Sequence, residues 1–209
     1  MPRTFERALL GGTFDHFHKG HEKLLLSALE QCQNLELWVT NDKIAVKKEG
    51  KVESFEERVI FLKKWIQKNK LEERVTIEEL NDAVGPAEYR LDCDAIVCTS
   101  ETLIGCKKIN EKRIESNIKP LEIITVEHFF SEDGITLSSS LIRNGEYTRS
   151  GKKWIDYEQI SKILFMPKTI ESTLKKPFGT LFEGPEDDTS IAIKKMTKAL
   201  NLEEYNGKI

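Results

Sequence analysis

The chain has 209 residues, enough for one domain with an appendage and for a buried core that needs no covalent staples. Its 32 lysines and arginines against 35 aspartates and glutamates leave a net charge of -3, which argues against a general nucleic-acid binder, and the lysines are dispersed, which argues against a polybasic membrane patch. No apolar run reaches the roughly 18 residues of a membrane span, and Met1-Pro2-Arg3-Thr4-Phe5-Glu6-Arg7 lacks the apolar stretch of a secretion signal.

In chain order, Ala8 to Gly11 reads as a first strand. Lys19 to about Gln33 reads as a helix with Leu25, Ala28, Leu29 and Cys32 on one face. Leu35 to Thr40 alternates apolar and polar residues, as a strand does. A charged loop runs from Asn41 to Glu53. Ser54 and Glu57 then form a capping box, opening a helix with Phe55, Val59, Leu62 and Ile66 at helical spacing. Val75 to Leu80 is a third strand. Asp94 to Cys98 is a fourth, nearly all apolar and therefore central in a parallel sheet. A polar helix with Leu103, Ile109 and Ile114 follows, then a fifth strand, Leu121 to Val126. Ser138 to Arg143 begins a short helix that stops near Asn144-Gly145.

Repeated βα units predict an α/β chain with a Rossmann-like, doubly wound, five-stranded parallel sheet, whose ligands bind beyond the carboxyl ends of the strands. From about Ser150 the pattern changes. Asp156 to Phe165 is amphipathic, with Tyr157, Ile160 and Leu164 on one face; Met166-Pro167 breaks it; Ile191 to Leu200 reads as a last helix. The expected division is a domain over residues 1–150 and a helical extension over residues 151–209. Cys32, Cys93, Cys98 and Cys106 form no CxxC pair and are expected to be reduced thiols of a cytoplasmic protein.

The chemistry concentrates in Gly11-Gly12-Thr13-Phe14-Asp15-His16-Phe17-His18-Lys19-Gly20-His21, at the end of the first strand. Gly11 and Gly12 let a phosphate approach the main chain closely. The helix that starts near Lys19 offers free amides and the positive end of its dipole to an anion. His18 and His21, three residues apart, can turn both rings into one pocket and donate hydrogen bonds to charge growing on a phosphorus centre. His16 reads as a turn residue. An attacking phosphate monoester is already largely dianionic at neutral pH, its second pKa being about 6. Such a site therefore needs alignment and charge neutralisation rather than a base. Fixed donors in it are worth about 3–4 kcal/mol each.

Gly11 to His21 resembles the signature of the HxGH nucleotidyltransferase superfamily, with His18-Lys19-Gly20-His21 as its quartet. Leu137-Ser138-Ser139-Ser140-Leu141-Ile142-Arg143 is similar to the superfamily's ISSTxIR motif, with leucine for isoleucine and serine for threonine. Five further segments stand in order over the first three quarters of the chain: Ser54-Phe55-Glu56-Glu57-Arg58, Asn81-Asp82-Ala83-Val84-Gly85-Pro86-Ala87, Thr99-Ser100-Glu101-Thr102, Asn110-Glu111-Lys112-Arg113 and Asp133-Gly134. Together they resemble the archaeal-type phosphopantetheine adenylyltransferases.

The resemblance implies transfer of the adenylyl group of ATP to 4′-phosphopantetheine, with Mg2+ bound with the ATP and no metal ligand from the protein. It implies that Gly11, Gly12, Thr13, Phe14, His18 and His21 contact ATP, that Thr13 also meets the acceptor, and that His18 is catalytic. Lys47 or Lys48 matches the lysine that bridges both phosphates, the choice between them being open, with Lys48 carried as catalytic. Ser138, Ser139, Ser140 and Arg143 would hold the triphosphate tail, with Arg143 also carried as catalytic. Arg113 is a candidate for a substrate phosphate, with a surface arginine on a helix as the other reading. Bacterial members carry an arginine where this chain has Thr99-Ser100-Glu101-Thr102. The partners implied are ATP and 4′-phosphopantetheine, with no nucleic acid and no membrane; the oligomeric state is open. Other readings are a glycerol-phosphate cytidylyltransferase, a flavin or nicotinamide mononucleotide adenylyltransferase, or a nucleotide-binding regulator without turnover. Met166 to Leu181 is weakly similar to the start of archaeal GTP-dependent dephospho-coenzyme A kinase.

Overall fold

The structure, a computed structural model, describes residues 3–45, 52–82 and 84–153. The elements are β1 (Phe5–Gly12), α1 (Lys19–Gln31), β2 (Cys32–Thr40), α2 (Asp42–Ala45), α3 (Phe55–Lys68), β3 (Val75–Leu80), β4 (Ala95–Cys98), α4 (Leu103–Glu115), β5 (Glu122–Thr125) and α5 (Ser139–Arg143), with a turn of 3-10 helix at Gly85–Glu88. The five strands form one sheet in the order β3-β2-β1-β4-β5, every pair parallel. The chain moves outward from β1 to β3, then crosses back to β4 on the other side of β1. That reversal leaves a crevice at the carboxyl ends of β1 and β4.

Alternation along β1 sends Ala8 and Leu10 to one face and Leu9 to the other. The first face packs against Leu25, Ala28 and Leu29 of α1 and Leu62, Trp65 and Ile66 of α3. The second packs Leu9, Ile96 and Cys98 against Cys106 of α4, with Cys93 and Leu121. All four residues of β4 are buried, as expected of a central strand covered on both sides.

Several details differ from the sequence reading. β1 starts at Phe5, not Ala8, because the Asp94 carboxylate accepts the amides of Glu6 and Arg7, each at 2.9 Å, and the ladder to β2 already begins at Phe5 and Cys32. α1 stops at Gln31 and β2 follows at once from Cys32. There the Arg74 guanidinium collects the carbonyls of Leu29, Cys32 and Gln33 at 2.8–2.9 Å, satisfying the helix end without a glycine cap. In α4, Ile114 is exposed and Arg113 takes the buried position beside Cys106.

The chain divides into two compact units, the first ending at Phe129 and the second starting at Phe130. The second, described from Phe130 to Lys153, holds a turn closed by an antiparallel bridge between Phe130 and Thr136, then α5, then a bridge between Tyr147 and Lys153. Inside the first turn the Ser131 hydroxyl bonds Asp133 and the Ile135 carbonyl. Ser138 caps α5 by accepting the Leu141 amide at 3.4 Å. The helices read at Asp156–Phe165 and Ile191–Leu200, and the similarity at Met166–Leu181, lie outside the described residues. Among the described residues no helix is long and apolar enough to cross a membrane.

All four cysteines are free and buried. Burial pushes the Cys93 thiol up to about 11; burial, with Cys98 beside it, pushes Cys106 up to about 12; burial also raises Cys32. The fold therefore favours the neutral thiols. That contribution is complete below the ordinary thiol value of 9.0 and is lost as pH rises towards about 12. Iodoacetamide at neutral pH is expected to label none of the four in the native protein and all four in denaturant, as counted by mass spectrometry; labelling of the native protein would show that the thiols are reachable.

Candidate active site

The turn after β1 is shaped by two residues that are not glycine yet stand in left-handed conformations, Phe14 (φ 54°) and His16 (φ 44°). Each such conformation costs about 1–2 kcal/mol, so the surroundings must hold it. Gly12 allows it: a Cβ there would meet the Phe14 ring at 3.1 Å. Asp15 and Glu53 fasten it. The fully buried Asp15 carboxylate accepts the Glu53 amide at 2.9 Å, and the Glu53 carboxylate accepts the His16 amide at 2.7 Å. The His16 ring lies within 4.0 Å of both carboxylates and is buried in the turn, as the sequence reading has it.

Arg58 completes the fastening. Its side chain is 0% exposed. Nη1 donates to the carbonyls of Thr13 and Thr40, each at 2.8 Å, Nε to the carbonyl of Glu53 at 3.0 Å and Nη2 to the Asp42 carboxylate at 2.9 Å. One planar fork thus ties the glycine turn, the end of β2, the start of α2 and the lead into α3. Sequence reasoning used Arg58 only as part of a segment of likeness. The available signal was its register, three residues after Phe55 and four before Leu62, inside the buried stripe of α3.

His18 is the N-cap of α1. Its Nδ1 accepts the Gly20 amide at 3.0 Å, and His21 Nδ1 accepts the His18 amide at 3.4 Å, a capping box built from two imidazoles. The rings lie 3.9 Å apart between centroids. An Nδ1 that accepts carries no proton, so these bonds assign the neutral tautomer with hydrogen on Nε2 to both rings. The His21 ring is held by Phe14 at 5.4 Å and by Phe17, stacked at 5.7 Å; Phe17 leans in turn on Trp65. The two histidines are therefore brought together as expected, and Phe14 is a buried support beneath them.

On the other side of the glycine turn lies a cleft of about 460 Å³. Gly11, Gly12 and Thr13 line it, but neither histidine does. Its walls are mostly apolar, from Trp38, Leu80, Pro86, Ile96 and Ile109, with Thr40, Glu101 and Thr102 as polar members. Thr102, the N-cap of α4, makes no side-chain cap bond to that helix; its hydroxyl instead accepts the Thr99 amide at 3.1 Å. At the ends of β4 and β5, Ser100 Oγ lies 3.2 Å from His128 Nε2, and Lys23 Nζ donates to the His128 carbonyl at 2.9 Å.

Arg113 is 2% exposed and is not a surface arginine. It gives Nη1 to the carbonyls of Ala87 and Arg90 and Nε to that of Lys119, at 2.7–2.8 Å, and so acts as an internal strut under the 3-10 turn. The structure does not bring it to the glycine turn's donors. Lys47 and Lys48 lie outside the described residues. Ser138, Ser139, Ser140 and Arg143 belong to the second unit, where Arg143 Nη2 donates to Ser140 Oγ at 2.9 Å.

A parallel α/β sheet with a glycine turn and an imidazole-capped helix at its switch point is the architecture of a Rossmann-like nucleotidyltransferase. The chain matches the cytidylyltransferase-like family over residues 9–145. It is 38% identical over 141 residues to the phosphopantetheine adenylyltransferase of Methanopyrus kandleri, covering 66% of this chain and 89% of that one. It is 36% identical over 149 residues to the phosphopantetheine adenylyltransferase of Methanosarcina barkeri, covering 70% and 91%. Among solved structures, a protein of unknown function from Archaeoglobus fulgidus is 28% identical, with a TM-score of 0.53 over 57% of this chain and 88% of that one. The chain belongs to the cytidylyltransferase-like family and, within it, to the phosphopantetheine adenylyltransferases.

Two stability outcomes follow from this geometry. His18→Ala, which deletes the cap, is expected to cost about 1 kcal/mol in urea denaturation, while His18→Asn, itself a good N-cap, recovers most of it; equal stability of all three proteins would show that the cap contributes nothing. Arg58→Met strands the carbonyls of Thr13, Thr40 and Glu53 at about 1–3 kcal/mol each, so a loss of at least about 3 kcal/mol is expected. A loss below about 1 kcal/mol would mean that the turn holds itself.

Proposed function

We propose that the protein transfers the adenylyl group of ATP to 4′-phosphopantetheine, giving dephospho-coenzyme A and pyrophosphate. The observation that carries this reading is the two-sided turn: Gly11–Thr13 stands between an imidazole-capped helix and a mainly apolar cleft. ATP takes the side of His18 and His21, where helix amides and imidazole N–H groups suit a polyanion. The acceptor takes the cleft, whose apolar walls suit the long uncharged pantetheine arm, and presents its phosphate at Thr13. A glycerol phosphate has no such arm to fill the cleft, and the curated relatives do not favour that alternative.

In the reaction an oxygen of the acceptor phosphate forms a bond to the α-phosphorus, and the bond from that phosphorus to the β-phosphate bridge breaks. Pyrophosphate leaves with the electron pair. The nucleophile needs no base, its second pKa being about 6. The protein's work is to align two anions and to stabilise the crowded phosphorus centre. His18 donates its Nε2 hydrogen to the charge growing there. Its tautomer is set by the N-cap bond before any substrate arrives.

By likeness to the family, Ser138, Ser139, Ser140 and Arg143 hold the β- and γ-phosphates, and Lys47 or Lys48 bridges the two substrates. Mg2+ fits the site as a companion of ATP. Among the described residues no group of three histidine, cysteine or acidic side chains is placed to hold a metal, and this ion is commonly held by substrate phosphates and water. When bound it neutralises triphosphate charge. We place the enzyme in the cytoplasm, working on small molecules without nucleic acid or membrane.

Pyrophosphate release with ATP or CTP, Mg2+ and a panel of phosphorylated acceptors tests the reading. Release with ATP and 4′-phosphopantetheine alone is expected; release only with CTP and glycerol phosphate, or none, would defeat it. His18→Asn is expected to lower kcat by about 100-fold or more while keeping its cap. Unchanged kcat in that variant would leave His18 with a structural role only.

A further inference from the structure

The cleft beside the glycine turn is lined by a residue whose polar atom finds no hydrogen bond among the described residues. Thr40 closes β2 and is 9% exposed, and its hydroxyl oxygen is buried with no hydrogen-bond partner among the described residues. The main chain at this point is firmly fixed. The Thr40 carbonyl accepts Arg58 Nη1 at 2.8 Å, and the same nitrogen holds the Thr13 carbonyl at 2.8 Å. Thr40 pairs with Leu80 of β3, and the next amide, Asn41, donates to the Leu80 carbonyl at 3.0 Å.

Packing does not explain a threonine here. Valine has the same shape, suits a strand as well, and removes a buried hydroxyl whose lack of a partner weighs against folding. The hydroxyl is therefore open to a partner that the described residues do not supply.

We propose that Thr40 is a specificity-determining residue: its hydroxyl bonds an amide of the acceptor's arm when that arm fills the cleft. This rests on the assignment of the cleft to the acceptor. The chemistry matches, because a hydroxyl both donates and accepts and so serves either end of an amide. Rotation about one side-chain bond exchanges its hydroxyl with its methyl, so the oxygen can turn to an arriving ligand. Arg58 fixes Thr13 and Thr40 to one nitrogen, which sets the phosphate end and the amide contact of one acceptor at a constant spacing. A buried polar group that only the right ligand satisfies selects strongly against ligands lacking the amide.

The test uses Thr40→Val and Thr40→Ser in the full chain, with thermal melting and steady-state kinetics in ATP and in 4′-phosphopantetheine. Thr40→Val is expected to melt at or above the wild-type temperature. Its KM for the acceptor should rise about tenfold, with KM for ATP and saturated kcat within about twofold, the pattern of a lost binding contact. Thr40→Ser, which keeps the hydroxyl, should keep the wild-type acceptor KM. An unchanged acceptor KM in Thr40→Val overturns the proposal. So does a Thr40→Val protein that melts lower, fails to fold or loses affinity for both substrates, since the hydroxyl would then serve the fold. Wild-type turnover of 4′-phosphopantetheine is measured first: its absence defeats the functional reading, whereas its presence with an indifferent Thr40→Val defeats only the role of Thr40.

Discussion

The guanidinium of Arg58, wholly out of water, is the interaction on which the site is built. Burying a charge is costly, and the cost is offset here only because every bond is short and directed. The fork reaches the glycine turn, the end of β2, the start of α2 and the chain before α3. Without it, the two left-handed residues on either side of Asp15, Phe14 and His16, would lose a main fastening beyond those from Asp15 and Glu53. Arg74 and Arg113 use the same device elsewhere, one at the passage from α1 to β2 and one beneath the 3-10 turn. In each case a parallel α/β layout leaves carbonyls at element ends where no ladder can take them, and a rigid fork of five N–H donors collects them.

The helix that follows the glycine turn is capped by an unusual choice. Serine, threonine, aspartate or asparagine is the ordinary N-cap, because a short acceptor reaches the amides with little loss of entropy. His18 does the same work with Nδ1 and thereby leaves Nε2 as a donor. The local rule for helix starts is broken, and the break falls on the residue that the chemistry needs. Structure and function are not separable at this position: the bond that closes the helix also fixes the tautomer.

Much of this was legible in the sequence. β3 falls on its predicted bounds, Val75–Leu80. The capping box of Ser54 and Glu57 is present as read. The meeting of the two histidines after the glycine pair is also present as read. What escaped was what side-chain type conceals. Apolar periodicity stops at Ala8, yet β1 continues through Glu6 and Arg7 because Asp94, far along the chain, accepts their amides. Arginine is read as surface, so Arg58 and Arg113 went unnoticed as core, although both fall in register with buried neighbours on their helices. The left-handed angles at Phe14 and His16 have no signature in residue type, because they are imposed by bonds from outside the turn.

The two-sided turn also bears on how two polyanions are made to react. Bringing an acceptor phosphate against a triphosphate is opposed by their like charge, and more cations at the reaction centre would bind both ground states tightly as well. Binding energy gathered away from the centre avoids that difficulty. An apolar cleft that grips an uncharged arm holds the attacking phosphate in place without adding charge beside it. On the proposed reading the imidazoles then offer donors that gain most when charge develops at phosphorus. On this view the apolar lining of the cleft is as much part of the catalytic apparatus as the histidines, and the sheet's reversal between β1 and β4 is what puts the two on opposite sides of one short turn.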